Sequence, residues 1–333
     1  MANIKVKIAV FSGNRATVFR LERVLTALSQ HSDIELQHIH VEASANYAQT
    51  IGKVYKIVEN HAKRYKPNWG MVCADRYEAL PAAMGFCYNR IPLVHCMAGD
   101  ESGCIDNYIR HAITELSDIL IPYSKDSERR LKLKYPSGKF IRYFGDPAKE
   151  YALAIRATME NTKKENYFIS ILHPDTIFPI PEVWLDEYFG CLSYMTKEAS
   201  CFGYLYTPNP DWGYKDILKR IKKFPLLNAK VITNEDPEAF IKRLARARFI
   251  IGNSSAGLRE AHTLGIPAIN VGDRQQNREK GKNVIWSSFV SECGETIMPA
   301  IGRAAMLGPR LRPVKSHMGT GARIAQFIAE RRG

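Results

Sequence analysis

The chain has no apolar run near the roughly 18 residues that a membrane-spanning helix needs, so no membrane partner is expected. Its opening, MANIKVKIAVFSG, carries lysines and a short apolar stretch. That stretch runs into Ser-Gly-Asn-Arg and reads as a first strand, not as a signal or transit peptide. A cytoplasmic protein is expected. Paired cysteines are missing as well. Cys73, Cys87, Cys96, Cys104, Cys191, Cys201 and Cys293 are scattered, with no CxxC among them. Their odd number and their apolar or small neighbours point to buried free thiols, against a disulfide framework or structural zinc. No short-period repeat and no low-complexity segment occurs, which excludes solenoids and biased disordered tails.

Acidic residues are in deficit: 34 Asp and Glu stand against 47 Lys and Arg, a formal charge of +13. The basic groups gather in KDSERRLKLK (Lys125 to Lys134), KDILKRIKK (Lys215 to Lys223) and the last third of the chain (Arg303, Arg310, Arg312, Lys315, Arg323, Arg331, Arg332). Any one cluster reads as a solvated helix face. The total excess makes a long-range field that attracts polyanions, with nucleic acid the obvious candidate. Composition alone does not separate nucleic acid from a nucleotide-sugar or an anionic surface.

Three hundred and thirty-three residues with 45% hydrophobic content are enough for two cores. Apolar β-rich runs alternate with helical patterns along nearly the whole length, from KIAVFSG and IELQHIHVE to AKVITN and FIIGN. This is an α/β pattern of parallel sheets with helices on both faces. A first domain is expected over 1–150 and a second over 151–333, each Rossmann-like and doubly wound, with an interdomain cleft at the carboxyl ends of both sheets. The last helix, TGARIAQFIAERR, is a candidate to pack back on the first domain.

The most informative segment is IIGNSSAGLREAHTLGIPAINVG, Ile250 to Gly272. An apolar run, a tight turn, a helical segment and a second apolar run make a βαβ unit. The turn of Gly252, Asn253, Ser254 and Ser255 offers small side chains, hydroxyls and backbone N–H groups where a helix begins, which suits a phosphate. Glu260 is placed to accept hydrogen bonds from ribose hydroxyls. With GDRQQNREKGKN following, the segment resembles the UDP-binding part of the UDP-N-acetylglucosamine 2-epimerase family, which implies the two-domain GT-B fold.

The resemblance covers nearly the whole chain and is densest over Asp75 to Ile119. The hydrolysing branch of the family carries a similar run: a strand-end Asp-Arg, then His-x-Glu-Gly-Gly-Glu, then Ile-Asp and Ile-Arg-His-Ala-Ile-Thr. It implies that Asn14 and Arg15 of SGNRA lie near the nucleotide-sugar phosphates, and that Asp75 is a general acid or base. Asp106 and Arg110 would serve the sugar and its developing charge, and His173 of LHPDT would sit by the phosphate. Ordinary structural roles compete at each: a solvent-facing loop arginine, an N-cap at Asp75, an i,i+4 ion pair of Asp106 with Arg110. Asn209 and Asp211 of TPNPDWG sit in a post-strand turn that turn chemistry alone could explain. Ser254, Ser255, Glu260 and Arg274 complete the UDP-sugar site. No metal and no cofactor are expected, because cationic side chains and helix ends could neutralise the diphosphate. Members of the family often form dimers, but no interface is legible.

Departures from the family bear on the reaction. The first Glu of His-x-Glu-Gly-Gly falls on Met97 in HCMAGD, and a thioether moves no protons. Asp100 and Glu101 stand nearby. Thr17-Val18-Phe19 replaces the family's Asp-Tyr-Ser, and HVEASANYAQT replaces a longer His-containing loop. These changes fall on the sugar side and leave the UDP side intact. The expectation drawn from them is a UDP-sugar-dependent glycosyltransferase with Asp75, or else Asp100, as base. Its sharpest form glycosylates a hydroxylated base in DNA, flipped out to be reached. A UDP-N-acetylglucosamine 2-epimerase, hydrolysing or not, is the alternative. A catalytically inactive nucleotide-sugar or nucleic-acid-binding protein is the third.

Overall fold

A computed structural model describes residues 5–44, 46–73, 76–224, 226–288, 296–314 and 318–331, apart from the side chains of Arg15 and Ala16. Asp75, Cys293, Lys315 and Arg332, singled out above, lie outside the described residues, as does the side chain of Arg15. The chain forms two compact units. One comprises Met1–Glu101, Ile105–Tyr151 and His317–Gly333; the other comprises Ser102–Cys104 and Ala152–Ser316.

The first unit runs β1 (Val6–Ser12), α1 (Arg15–Gln30), β2 (Ile34–His40), α2 (Tyr47–Tyr65), β3 (Trp69–Cys73), α3 (Ala79–Tyr88), β4 (Leu93–Cys96), α4 (Asp106–Leu116), β5 (Ile119–Ile121), α5 (Lys125–Lys134), β6 (Phe140–Ile141) and the start of α6 (Pro147–Ala157), whose residues from Ala152 on count with the second unit. Its strands make one parallel sheet in the order β2-β1-β3-β4-β5-β6. β1 and β3 are buried almost throughout, as strands covered on both faces must be. β2 alternates with solvent-facing residues, as its edge position allows.

The helices obey local rules. Asn14 caps α1 by accepting from the Thr17 N–H at 2.9 Å, and Leu21, Val24 and Leu28 bury one stripe of it. Asn46 caps α2, whose Val54, Val58 and Ala62 lie four apart on its buried face. α2 stops at Lys66, in the left-handed region, ahead of Pro67. Each such buried aliphatic side chain contributes roughly 1.5–3 kcal/mol relative to exposure. The final helix, α13 (Thr320–Ala329), belongs to this unit: Ile324 and Ile328 share a core with Leu21, Val24 and Leu28. The Glu150 carboxylate accepts from the Gly319 and Gly321 N–H groups at 3.0 and 3.1 Å, satisfying the start of α13.

The second unit runs β7 (Tyr167–Ile171), α7 (Glu182–Lys197), β8 (Phe202–Tyr206), α8 (Tyr214–Lys223), β9 (Ala229–Ile232), α9 (Pro237–Arg246), β10 (Phe249–Gly252), α10 (Ser255–Leu258), α11 (Glu260–Leu264), β11 (Ala268–Val271), β12 (Val284–Ser287) and α12 (Ile297–Leu307). Its parallel sheet has the order β12-β11-β10-β7-β8-β9. Phe168, Phe249, Ile251 and Ile269 from the sheet pack with Leu185, Phe189 and Leu192 of α7.

Both units are therefore doubly wound, and each has one place where the strand order reverses direction. In the first unit it lies between β1 and β3, in the second between β7 and β10. Open α/β sheets bind ligands at the carboxyl ends of the strands flanking this point. Among the described residues no helix is long and apolar enough to cross a membrane. Six of the seven cysteines are described, and all six are free thiols. Cys73, Cys96, Cys104 and Cys201 are buried as expected, but Cys87 is exposed and Cys191, packed against the second unit's core, is half-buried.

Candidate functional site

In the second unit, the turns after β7 and β10 are locked together by one amide. Asn253, 2% exposed, accepts from the His173 N–H at 2.7 Å and returns a bond from Nδ2 to the His173 carbonyl at 2.8 Å. Its own N–H reaches the Ile171 carbonyl at 3.1 Å. Gly252 precedes it at φ +132°, where a Cβ would lie 2.0 Å from the Ile171 carbonyl oxygen. Only glycine fits so close an approach. The segment GNSS is thus built for strand-to-strand closure.

His173 is oriented from its other side too. Its Nδ1 accepts from the Asn209 N–H at 3.2 Å. A ring nitrogen that accepts carries no proton, so the neutral imidazole holds its hydrogen on Nε2 and presents a donor there. Asp211 is buried in the same turn, its N–H on the Asn209 carbonyl at 2.8 Å and its own carbonyl accepting from Tyr214 at the start of α8. The structure therefore brings His173, Asn209, Gly252 and Asn253 together, with Asp211 beside them.

The helix expected to run on from Ser254 is two short pieces. Ser254 caps α10 by accepting from the Ala256 N–H at 3.3 Å, and Ser255 is its first residue. The helix breaks at Arg259, and Glu260, 6% exposed, starts α11. Glu260 is thus at the head of its own helix, not one to two turns into a continuous one. Arg274 is buried beside Gln275, which sequence reasoning missed: Gln275 donates from Nε2 to the Asn253 carbonyl at 2.8 Å and ties the GDRQQN loop to the same turn.

In the first unit the strand ends carry charge. Asp100 is 4% exposed; its carboxylate accepts from the Ser127 hydroxyl at 2.7 Å. Arg110, fully buried within α4, donates from Nη1 to the Asp100 carbonyl at 2.7 Å and to the Asn107 side chain at 2.8 Å. Arg130 adds a bond to the Gly99 carbonyl at 3.0 Å. Asp106 opens α4 one turn before Arg110, half-buried. Asn14 is spoken for by its cap and by Glu78, to whose Oε1 its Nδ2 donates. Glu78 is another residue that sequence reasoning missed. An acid at the head of the apolar helix ALPAAMGF was the available signal.

Several titratable groups nearby are held neutral. Burial pushes the Cys96 thiol and the Tyr123 hydroxyl well above their usual ranges, which removes both as nucleophile or base at neutral pH. Burial, followed by Lys134 and Arg110, lowers His111. Met97 is fully buried at φ +66° and packs in the core with Cys73, Cys96 and Tyr123. Its side chain serves packing. The run His-x-Glu-Gly-Gly-Glu also ends on an acid, and that last position falls on Asp100.

Two doubly wound parallel sheets of six strands are the GT-B architecture. Over residues 15–322 the sequence matches the model of the family described as UDP-N-acetylglucosamine 2-epimerase, and the chain belongs to that family. It is 30% identical to the UDP-N-acetylglucosamine 2-epimerase of Neisseria meningitidis serogroup B, covering 91% of this chain and 88% of the relative. It is 24% identical to the hydrolysing UDP-N,N'-diacetylbacillosamine 2-epimerase of Legionella pneumophila, with 84% of each covered. Among solved structures, the Methanocaldococcus jannaschii UDP-GlcNAc 2-epimerase in complex with UDP-GlcNAc and UDP superposes with a TM-score of 0.81, at 17% identity, over 98% of this chain and 100% of that one.

These findings overturn the expectation of a glycosyltransferase and, with it, of a hydroxylated DNA base as acceptor. The inference from Met97 failed because losing one acid of the run does not remove the acid three residues on. The inference from basic charge failed because a net excess selects no partner, drawing a nucleotide-sugar as well as a nucleic acid, and because the clusters themselves are partly answered locally. On α5, Lys125 and Lys132 reach Glu128 at 3.4 and 2.8 Å, and Arg129 reaches Asp126 at 3.5 Å. On α8, Lys219 pairs with Asp216, Lys223 with Asp186, and Arg220 with both Glu182 and Asp186.

Proposed function

We propose that this protein is a hydrolysing 2-epimerase of a UDP-N-acetylamino sugar, with UDP-N-acetylglucosamine the first substrate to test. A base removes the proton from C2 while the C1–O bond to UDP breaks, leaving a sugar unsaturated between C1 and C2. Water then adds at C1 and a proton returns to the opposite face of C2, giving free N-acetylmannosamine and UDP. Asp100 supports the proton-transfer role: it is a buried carboxylate whose loop Arg110 and Arg130 hold rigid. Asp75 is the second acid assigned to C2, and Asp106 is assigned to the sugar. The Nε2–H of His173, Arg274 and the Ser254–Ser255 turn are assigned to the diphosphate. Asn14 and Arg15 are assigned to its sugar side, Glu260 to the ribose, and Asn209 and Asp211 to holding His173 in place.

The observation that carries this reading is family membership over 15–322 joined to the amide bracket at His173. UDP binding is supported by the M. jannaschii neighbour, solved in complex with UDP-GlcNAc and UDP. Arginine side chains suffice to offset the leaving charge, so the reaction proceeds without a metal and survives chelation. Free thiols suit a reducing compartment, and we place the enzyme in the cytoplasm. The test is incubation with UDP-N-acetylglucosamine alone. Release of UDP together with N-acetylmannosamine supports the proposal; UDP-N-acetylmannosamine as sole product turns it into a non-hydrolysing epimerase; no turnover without an acceptor refutes both.

A further inference from the structure

Glu78 is 1% exposed, a costly place for a carboxylate, and its own helix does not account for it. It stands at the N-cap position of α3 yet makes no cap hydrogen bond there. Its side chain reaches across the switch point instead. Oε1 accepts from Nδ2 of Asn14 and from Nε of Arg76, the latter at 3.3 Å. Oε2 has no partner among the described residues, so the hold rests on that one oxygen. Gly13 lies flat on the stem of the side chain, and a Cβ there would meet the Glu78 Cγ at 2.1 Å. Asn14 has no second orientation: its Oδ1 is committed to the Thr17 N–H, so the amide must turn Nδ2 to Glu78.

We infer that Glu78 is a positioning residue for substrate binding. It locks Asn14, at the start of α1, to Arg76, beyond the end of β3, and so sets the first unit's grip on the nucleotide-sugar. This rests on the reading of the protein as a UDP-sugar epimerase, and goes beyond it by giving a role to a residue that contacts no assigned reacting group.

The bond has a direction, donor from Asn14 and acceptor on Glu78, and that direction can be reversed. Asn14→Asp sets two carboxylates face to face, while aspartate still caps α1. Adding Glu78→Gln restores the bond with the amide now donating from position 78. Asn14→Asp should raise KM for UDP-N-acetylglucosamine, and Kd by calorimetry, at least about 10-fold, since Asn14 is itself assigned to the substrate; the double variant should bind at least about 3-fold better than Asn14→Asp alone. Glu78→Met, which removes the acceptor without opposing charges, should raise KM similarly and serves if Asn14→Asp does not fold. A double variant no better than Asn14→Asp, or variants that lower Tm with KM and Kd unmoved, would overturn the inference. Wild-type protein that neither binds nor turns over the sugar would refute the epimerase reading itself, and the positioning role with it.

Discussion

At its switch point the second unit holds its turns with uncharged groups, whereas the first unit does so with buried charge. Asn253 ties β10 to β7 through backbone donors and acceptors, and Gln275 extends the bracket. In the first unit Glu78 ties Asn14 after β1 to Arg76 after β3, and Asp100 and Arg110 hold the loop after the next strand, β4; all three are nearly or fully buried. Neutral dipoles preorganise a site for an anion without competing with it. Buried charges, expensive to keep, suit a site that must move a proton. On the proposed reading the difference is a division of labour: the second unit grips UDP, and the first handles the sugar.

The division is broken most severely at Asp100. Asp100→Asn keeps an acceptor for Ser127 but cannot take a proton, so turnover should fall about 10²–10⁴-fold. UDP affinity measured by calorimetry should stay within about 3-fold, since the nucleotide is assigned to the other unit. A large loss of UDP affinity with turnover intact would reverse the assignment. In the second unit Gly252→Ala forces a Cβ against the Ile171 carbonyl at φ +132°. It should cost more than about 3 kcal/mol in urea denaturation. Gly138→Ala is the control, since Gly138 also has positive φ but meets open space; it should cost only about 1 kcal/mol.

Asn253→Ala leaves the His173 N–H and carbonyl without their partner and should cost about 2–3 kcal/mol. UDP affinity should fall with it, by about 10-fold, because His173 loses its backbone anchor. The smallest effect belongs to His38 in the first unit. Burial first, then His40, holds His38 below its ordinary value of 6.5, against a weaker upward pull from Glu22. The folded state therefore binds the proton less readily than the unfolded chain. This contribution is whole above pH 6.5 and is lost as pH falls below it. Differential scanning calorimetry between pH 7.5 and 5.5 should show the decline in Tm reduced by roughly 1–2 °C in His38→Gln.

Much of the architecture was legible because it rests on periodicity. The apolar runs of β1, β7 and β10 read directly from spacing; of the apolar residues at helical spacing in α2, Ile51, Val54, Ile57 and Val58, only Val54 and Val58 are buried. The elements that escaped notice lack such patterns. β6 is two residues long and β12 is an edge strand of four. The break at Arg259 could not be seen either: residues 255–264 hold no proline, and the one glycine, Gly257, is a helical residue two positions before the break. In the site, the groups that touch backbone across the switch points were found where a motif flagged them, as with Asn253 and His173. Glu78 and Gln275 were passed over because their partners are distant in sequence: a carboxylate 64 residues from Asn14, an amide 22 from Asn253. Met97 misled for the converse reason. An aligned position was taken as an active one, while its side chain lies in the core.

The most direct test of the central claim, proton exchange at C2 of a UDP-bound sugar, is to run the reaction in D2O with UDP-N-acetylglucosamine as the only substrate and read the product by proton NMR. The account predicts UDP and N-acetylmannosamine carrying deuterium at C2. Release of UDP with the C2 proton retained and the gluco configuration unchanged would contradict it.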